Sequence, residues 1–419
     1  MKNKVANKAK RGKFNREKAE KMAEDFDFAR EARLAMIPAL IPLGLCAVEE
    51  ELQGEVLSLA GGRYSRGGAI KRWGNNPGSV FVGDQKVKIN VPRIRDVAHD
   101  CEVPLKSYER LQNPTHVDEM AFSRVINGIS QGKYERAAEH VPETFGIKKS
   151  SVSRKFIRAS GKRLREFLER DLSCHDIVAI FIDGKCFQEN EMVIALGITL
   201  LGEKILLGFV ETSTENHTVC RDFLNRLKGR GLNLNQEMLF IIDGGKGIRR
   251  GIEEACGDNA LIGRCQWHKR ENVVSYLSKE RQNDFRGNLQ NAYNEPTYDG
   301  AKKALLTVRR DLGRINESAV ASLDEGFEET LLLHKLGLFE KLGQSFKTTN
   351  CIESVNKQLA TYTDRVDRWQ SSDQRRRWVA SALMAIEPRL NRVAGYEHLP
   401  ELRIAMKKLK AKQKQENAA

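Results

Sequence analysis

The sequence has no long apolar run. No stretch approaches the roughly 20 consecutive apolar residues that a helix needs to cross a bilayer, and the basic residues 1–22 lack the apolar core of a signal peptide. Cysteine is sparse and scattered, which argues for reduced thiols rather than a disulfide framework. The eight cysteines are Cys46, Cys101, Cys174, Cys186, Cys220, Cys256, Cys265 and Cys351. We therefore expect a soluble, cytoplasmic protein without a membrane segment.

Acidic residues are too few to balance the basic ones. The chain has 70 Lys and Arg against 56 Asp and Glu, a net charge of +14, and a pI near 9.3. This excess favours a polyanionic partner, although charge alone does not separate nucleic acid from an acidic membrane surface. At 419 residues the chain is too long for one average hydrophobic core, so we expect two or three domains.

Residues 1–22 contain nine Lys or Arg and almost nothing apolar. This basic arm is either a disordered solubilising tail or a nucleic-acid contact. Residues 23–112 follow, in which a helical period is succeeded by turn residues, among them N-N-P-G. Val87, Ile89 and Val91 then alternate with polar residues, which predicts a half-buried strand that pairs with 79–82 across a tight turn. A small β unit over 60–100 is predicted, and its pattern does not show whether it contacts DNA.

Residues 113–172 have a helical period throughout, interrupted by Pro142 and Gly146. The predicted third helix buries Val152, Phe156, Ala159, Leu164 and Phe167. Its start and open face are basic, with Lys148, Lys149, Arg154, Lys155 and Arg158. A glycine turn followed by a capped basic helix is typical of a helix-turn-helix, whose second helix lies in the major groove of DNA. A plain helical hairpin with a basic face is the alternative.

Two buried strands of residues 173–264 each end in an acid. Residues 178–182 run without interruption into Asp183, and residues 238–242 run in the same way into Asp243. The predicted order of elements is β-β-β-α-β-α-β, an α/β arrangement that is the order of the ribonuclease H-like fold. Because the fourth strand would pair in parallel with the first, both acids should emerge side by side.

The remaining chain is predicted to be helical. Residues 265–345 form an all-helical insertion, and residues 346–365 hold the last core helix, with Ile352, Val355 and Leu359 on its buried face. Glu353 lies off that face, free to face the edge of the sheet. Residues 366–419 form a basic C-terminal helical region.

Four segments of this region resemble one known family. They are V-E-T-S-T-E-N-H, F-I-I-D-G-G-K-G, R-C-Q-W-H-K-R-E-N-V and T-T-N-C-I-E-S-V-N, in that order. Together they resemble the mutator-type DDE transposases of bacterial insertion sequences, most densely from about 120 to 365. The resemblance implies that Asp183, Asp243 and Glu353 are the catalytic triad, and that Cys265 and His268 match the C-x-x-H signature of the family.

The resemblance also implies a two-metal site. Two Mg²⁺ (or Mn²⁺) ions can activate the attacking oxygen of a phosphodiester reaction and stabilise the leaving oxygen, and such hard cations prefer carboxylate ligands. Asp183 would bridge both ions, Asp243 would hold one and Glu353 the other. Taken singly, each acid could instead be a solvated cap of a strand or helix.

Other residues near these acids have two interpretations each. Cys265 and His268, with Trp267, either pack and hydrogen-bond beside the acids or form half of a zinc site. Lys246 and Arg249 begin a helix that could receive a phosphate, or they are ordinary surface charges. A later segment mixes basic and aromatic residues, which suits DNA but equally suits a helix with its tryptophans packed inward. Its members are Arg365, Arg368, Trp369, Arg375, Arg376, Arg377 and Trp378.

The function implied is that of a DNA transposase. The helix-turn-helix-like region would bind the terminal inverted repeats, and the triad would cleave and transfer strands. The expected partner is double-stranded DNA, both element ends and target, bound by a homodimer or a higher oligomer associated with the nucleoid. The alternatives are a two-metal nuclease or resolvase, and a non-catalytic DNA-binding regulator derived from a transposase.

Overall fold

The computed structural model describes residues 30–65, 68–82, 85–112, 119, 122–123, 125–127, 149–187, 190–213, 216–366 and 368–418. The chain divides into two compact units, Met1–Ala159 and Ser160–Ala419. The basic arm 1–22 lies outside the described residues, as do Lys148 and most of the first two helices predicted in 113–148.

The first unit contains the predicted β unit. Helix α1 (Arg30–Ala60) is followed by strands β1 (Ile70–Val82), β2 (Gln85–Asp96) and β3 (Cys101–Val103) and by helix α2 (Lys106–Gln112). The strands form an antiparallel sheet in the order β1-β2-β3, with Val80 opposite Val87. The predicted alternation is confirmed, since Val87, Ile89 and Val91 are buried. The third strand was not predicted.

One interpretation in this region is wrong. The N-N-P-G segment does not form a turn but lies within β1, where the register shifts between Arg72 and Asn75. Gly78 explains why a strand can contain it. A Cβ at Gly78 would overlap the side chains of Val91 and Tyr108, so the glycine makes room for close packing rather than for a turn.

Helix α3 (Lys149–Glu169) confirms the third helix predicted in 113–172. Its predicted apolar face is buried: Val152, Phe156, Ala159, Leu164 and Phe167 are each less than 9% exposed. The Phe156 ring stacks on Phe122 with centroids 5.6 Å apart. The helix-turn-helix arrangement itself stays a prediction, because the turn between its helices lies outside the described residues.

A five-stranded sheet forms the centre of the second unit. Its strands are β4 (Ile177–Phe187), β5 (Asn190–Thr199), β6 (Lys204–Thr212), β7 (Met238–Ile242) and β8 (Ala260–Arg264), in the spatial order β6-β5-β4-β7-β8. The first three are antiparallel, whereas β7 pairs in parallel with both β4 and β8. Helices α4 (His217–Gly229) and α5 (Lys246–Cys256) complete the predicted β-β-β-α-β-α-β order.

The parallel pairing aligns Asp183, within β4, with Asp243, which follows the end of β7. Phe181 lies opposite Ile241, so Asp183 and Asp243, each two residues further along, lie at the same level. Residues 179 and 181 of β4 and residues 239 and 241 of β7 are buried in one apolar cluster, with helices from the C-terminal part of the chain. The alternate residues are buried on the other face, against α4 and α5.

Seven helices lie between β8 and the last core helix, and no strand occurs in this fully described segment. They are α6 (Gln266–Ser275), α7 (Lys279–Tyr293), α8 (Tyr298–Gly313), α9 (Glu317–Asp324), α10 (Phe327–Thr330), α11 (Leu332–Lys335) and α12 (Phe339–Phe346). The first five have an apolar core of their own, which includes Val273, Leu289 and Leu305. The last two are buried in the cluster of the central sheet, for example at Leu332 of α11 and Phe339 of α12. The predicted helical character of 265–345 is confirmed.

Three helices end the chain: α13 (Asn350–Thr363), α14 (Ser372–Ile386) and α15 (Leu399–Ala418). Ile352, Val355 and Leu359 of α13 are fully buried, as predicted. Trp369 packs edge-on against both Phe187 and Trp378. The tryptophans therefore pack inward, which was one of the two interpretations of this segment.

Candidate active site

Asp183 contacts α13 and lies within β4 rather than at its predicted end, because β4 continues to Phe187 in its pairing with β5. Its Oδ2 accepts a hydrogen bond of 2.7 Å from Nδ2 of Asn356. Burial raises the pKa of Asp183 to about 6. The charges of Asp243 and Glu353 also raise it, whereas His268 and the Asn356 hydrogen bond oppose the shift. The three predicted acids are thus electrostatic neighbours, and a half-buried carboxyl among other acids is one that a cation would stabilise.

Asp243 is positioned by the sharp turn that follows β7. Gly244 has a φ of +117°, a conformation that side chains disfavour. A Cβ at this position would also overlap the guanidinium of Arg264. The backbone N–H of Gly245 donates to Asp243 Oδ1 at 3.1 Å, which fixes the carboxylate as α5 begins.

Glu353 lies in the first turn of α13, whose apolar face packs on the sheet. Its Oε1 accepts a hydrogen bond of 2.6 Å from the Thr349 hydroxyl. Asn356, which bonds Asp183, is three residues further along the helix and so lies on the same face as Glu353. The prediction that Glu353 faces the edge of the sheet is consistent with this contact.

The donors at this site fit a hard divalent cation. Three carboxylates provide oxygen ligands of the kind that Mg²⁺ prefers. In addition, Asn356 Oδ1 is buried and has no hydrogen-bond partner among the described residues. Such an orphaned oxygen requires a partner that the protein itself does not supply, for example a water of a hydrated ion.

A fourth acid, Glu191, lies beside the predicted triad. It is opposite Cys186 in the β4–β5 pair, and its carboxylate covers Gly184, where an added Cβ would overlap it. Burial raises the pKa of Glu191, and the charge of Asp243 contributes. Sequence reasoning missed this residue, because an acid at the start of an antiparallel strand resembles a surface residue until the strand register is known.

Cys265, His268 and Glu353 form a compact group around the Thr349 hydroxyl. Their ligand-type atoms lie within 4.8 Å of one another, a grouping that could hold a metal ion. However, Thr349 Oγ1 lies 3.4 Å from Cys265 Sγ and 3.3 Å from His268 Nδ1, besides 2.6 Å from Glu353. The hydroxyl oxygen therefore occupies the space between the three groups and joins them by hydrogen bonds.

The hydrogen bonds of this group shift the pKa values of Cys265 and His268 in opposite directions. The Cys265 hydrogen bond raises the pKa of His268 to about 8 against the effect of burial, and the charges of Glu353 and Asp243 add to it. Burial opposes ionisation of Cys265, but bonds to His268 and Thr349 lower the pKa of its thiol overall. Trp267 is 47% exposed, and its ring meets His268 edge-on.

Comparison with known proteins supports the resemblance found in the sequence. The family described as "Transposase, Mutator family" matches residues 34–386. This chain belongs to the Mutator family of transposases. One similar relative is the transposase for insertion sequence element IS256 in transposon Tn4001 from Staphylococcus aureus. It is 26% identical over 314 residues, which cover 71% of this chain and 76% of the relative.

Two further transposases are similar to this chain to a comparable degree. The transposase for insertion sequence element ISRM5 of Rhizobium meliloti (strain 1021) is 26% identical over 67% of this chain and 70% of its own length. The transposase for insertion sequence element IS6120 of Mycolicibacterium smegmatis is 26% identical over 55% of this chain and 72% of its own. Within the described ranges, no helix has the length and apolar character needed to cross a membrane.

Lys246 and Arg249 differ in their availability for DNA. Both lie at the start of α5, and the Lys246 side chain is 90% exposed, 3.7 Å from Glu325. Arg249 forms ion pairs with Glu253 at 3.2 Å and with Glu329 at 2.8 Å. The arginine charge is balanced within the protein, which favours the surface-charge interpretation for Arg249.

The basic residues predicted on α3 are partly accessible. Arg154 and Arg158 are exposed, and the Lys155 ammonium lies 4.3 Å from the centre of the Phe81 ring, so its stem packs on the β unit. The Lys149 side chain lies outside the described part of the chain. Arg154 and Arg158 are therefore the members of this group best placed to reach a ligand.

The C-terminal arginines also separate into two kinds. Arg368 and Arg376 are exposed. Arg375 is only 12% exposed and bonds Glu211 at 2.6 Å, while Arg377 is 11% exposed and pairs with Asp373. These arginines looked equivalent in the sequence. In the structure, Arg375 and Arg377 form ion pairs within the protein, whereas Arg368 and Arg376 are exposed to solvent.

Proposed function

We propose that this transposase binds the terminal inverted repeats of its insertion sequence and carries out two-metal DNA cleavage and strand transfer. The observation that carries the proposal is the level placement of Asp183 and Asp243 on adjacent parallel strands, with Glu353 held against the same edge by α13. Two acids from strands and one from a helix, brought together from distant parts of the chain, suit DDE chemistry rather than three separate solvated caps.

The topology supports a ribonuclease H-like catalytic core. Three antiparallel strands continue into two parallel ones, with helices on both faces. Asp183 and Asp243 lie just beyond the last residues that pair β4 with β7. In this proposal residues 173–264 and 346–365 form the core, and residues 265–345 are an insertion into it.

Asp183, Asp243 and Glu353 would hold two Mg²⁺ or Mn²⁺ ions. Bound in this way, such ions activate an oxygen nucleophile and stabilise the leaving oxygen of a phosphodiester. The residues of the chain supply positioning. Asn356 orients the Asp183 carboxylate, and Thr349 orients Glu353. Positioning of this kind reduces the reorganisation needed when DNA arrives.

DNA recognition is assigned to residues 113–172, with the basic arm 1–22 and residues 366–419 as further candidates. Element ends and target DNA would be the partners. Because two ends must be brought together before strand transfer, at least a homodimer is expected, acting on the nucleoid in the cytoplasm. The net charge of +14 supports a polyanionic partner of this size.

The test uses purified protein, labelled element-end DNA and Mg²⁺. Wild type should cut and join, whereas Asp183→Asn, Asp243→Asn and Glu353→Gln should lose at least about 10²-fold in cleavage because each removes a charged ligand. Binding of the ends should survive in all three. Normal cleavage by any variant would remove that residue from the site.

The same assay separates the alternative functions. A nuclease or resolvase would hydrolyse DNA without joining a freed 3′ end to a target. A DNA-binding regulator would bind the ends and cut nothing, even with every acid intact.

A further inference from the structure

A groove of about 590 Å³ lies along the open edge of the five-stranded sheet, beside β6. It is bordered by α4 from one face of the sheet and by the start of α14 from the other. Four arginines line it: Arg226, Arg230, Arg375 and Arg376. Glu211 is the acid among its lining residues. Four cations against one anion leave the groove strongly positive.

Arg230 provides a fixed charge at the base of this groove. Its guanidinium donates to the backbone carbonyls of Arg170, Leu207 and Phe167 at 2.9–3.1 Å. Burial, with the charge of Arg170, lowers the pKa of Arg230 to about 10, so it remains protonated at neutral pH. Because neutral carbonyls accept these three bonds, they hold the cation in place without cancelling its charge.

Arg375 and Glu211 neutralise each other. Their 2.6 Å ion pair, together with a hydrogen bond from Ser372 to Glu211, fastens the start of α14 to the end of β6. Arg226 and Arg376 are different: both are exposed, and neither forms an ion pair or side-chain hydrogen bond with any residue in the described ranges. Two free guanidinium groups thus stand beside the half-buried cation of Arg230.

The groove lies at the level of the candidate active site. Asp183 is opposite Ile194 on β5, and Ile194 is opposite Phe209 on β6; Phe209 lines the groove. Two strand spacings of about 4.8 Å separate β4 from β6, so the edge of the sheet is roughly 10 Å from the acid. One strand of duplex DNA advances about 3.4 Å per nucleotide along the helix axis, so this distance is about three nucleotides for a duplex whose axis runs across the strands of the sheet.

We propose that this groove binds a backbone phosphate of the DNA strand about three nucleotides from the phosphodiester at the acids, with Arg226 and Arg376 as its ligands. The inference rests on the proposed function, because it takes the acids as the point of cleavage. A guanidinium group can donate two parallel hydrogen bonds to the oxygens of one phosphate. The charge of Arg230 stabilises an anion in the groove. Such a contact would hold the strand in register for cutting.

The first experiment measures how salt weakens binding of a labelled element-end duplex. The variant Arg226→Gln/Arg376→Gln should bind with a log K against log [salt] slope smaller by about 0.9 for each phosphate that the protein no longer neutralises, and should cut more slowly. Arg314→Gln is the matched control, since that side chain is 76% exposed and lies in the helical segment. Unchanged melting temperatures would show that all variants are folded.

The second experiment replaces single phosphates of the duplex by neutral methylphosphonates. One or two positions near three nucleotides from the cut should weaken binding to wild type and not to the double variant. If the double variant keeps the wild-type salt slope and no position distinguishes the two proteins, the groove does not bind a phosphate.

The outcomes also separate this inference from the proposed function. If the wild type cleaves DNA and the double variant keeps the wild-type salt slope, the phosphate site in the groove is wrong and the proposed function still stands. A reduced slope in the double variant, with no Mg²⁺-dependent cleavage by wild type, would overturn the proposed function and leave the phosphate site standing.

Discussion

At the scale of single residues, the Thr349 hydroxyl decides between two interpretations of Cys265 and His268. A metal held by these residues and Glu353 would need the space that the hydroxyl oxygen occupies, 2.6–3.4 Å from all three. His217, Cys220 and Cys256 are the other candidate ligands in the sequence, and among the described residues none of them belongs to the group that Cys265, His268 and Glu353 form. The geometry therefore favours a hydrogen-bonded support for Glu353 over zinc.

We predict that Thr349→Val lowers cleavage by about 10- to 100-fold, the usual effect of losing a residue that orients a metal ligand. Valine has nearly the same shape but cannot bond Glu353, Cys265 or His268. Thr349→Ser should restore activity, because it keeps the hydroxyl. Binding of element ends should be the same in all three proteins, as measured by titration.

Elemental analysis of wild type and of a His268→Ala variant tests the zinc interpretation. Wild type and His268→Ala should both be free of zinc, with reduced cleavage in the variant. One equivalent of zinc per chain in wild type, absent from a destabilised His268→Ala, would establish a structural metal instead, since such a metal contributes directly to folding.

Glu191 gives a second prediction at this scale. Because its carboxylate lies over Gly184 and interacts with Asp243, Glu191→Gln should reduce cleavage by about 10-fold or more and raise the Mg²⁺ concentration needed for half-maximal rate. Glu203→Gln is the control, an exposed acid at the β5–β6 turn, the opposite end of the same sheet. Equal Mg²⁺ dependence in both variants would leave Glu191 without a role at the site.

At the scale of secondary structure, the turn after β7 carries the placement of Asp243. Gly244 combines a positive φ with contact to Arg264. The Arg264 guanidinium in turn donates to the Glu325 carbonyl at 3.1 Å, which ties the turn to the helical segment. A side chain at this glycine would disturb both the backbone and that tie.

We predict that Gly244→Ala lowers the free energy of unfolding by about 1–3 kcal/mol, because alanine is strained at this φ, and nearly abolishes cleavage by moving Asp243. Denaturant unfolding and the cleavage assay measure the two effects. Gly229→Ala, at the end of α4 with no atom within 4 Å of its added Cβ, should leave stability unchanged or slightly higher. Equal behaviour of the two variants would show that the turn tolerates a side chain.

At the scale of the whole molecule, the net charge of +14 does not show which basic side chains are accessible to a partner. Several arginines of the second unit are neutralised in ion pairs, among them Arg249, Arg375 and Arg377. Arg154 and Arg158 of α3 are exposed. The sum of charges predicts a polyanionic partner, but only the paired or exposed state of each arginine shows which surfaces remain positive.

Neutralising Arg154 and Arg158 together should weaken end binding and reduce its salt dependence by about 0.9 for each phosphate that these residues neutralise in wild type. A salt titration of labelled ends measures this. Arg281→Gln, an exposed arginine on α7, is the control. A salt slope equal to that of wild type would move end recognition to another region, with the basic β unit as the first candidate.

The sequence alone predicted the order of strands and helices in the central sheet of the second unit and the helical character of the segment after it, but it did not predict β3. Buried strands were visible as uninterrupted apolar runs, and α3 and α13 as apolar residues at helical spacing, because burial of an element imposes its own period on the chain. The same runs located Asp243 at a strand end, whereas Asp183, also predicted at an end, lies within β4. The family resemblance added Glu353, which periodicity could not distinguish from a helix cap.

Tertiary structure decided what depends on distant residues meeting. The register between β4 and β5 places Glu191 beside Asp183 and Asp243. The packing of α13 against α6 places the Thr349 hydroxyl within hydrogen-bonding distance of Cys265 and His268. N-N-P-G became part of a strand because Gly78 accommodates Val91. Such contacts join distant residues, for example Asp183 and Asn356, which are 173 positions apart, and a local pattern contains no information about partners at that distance.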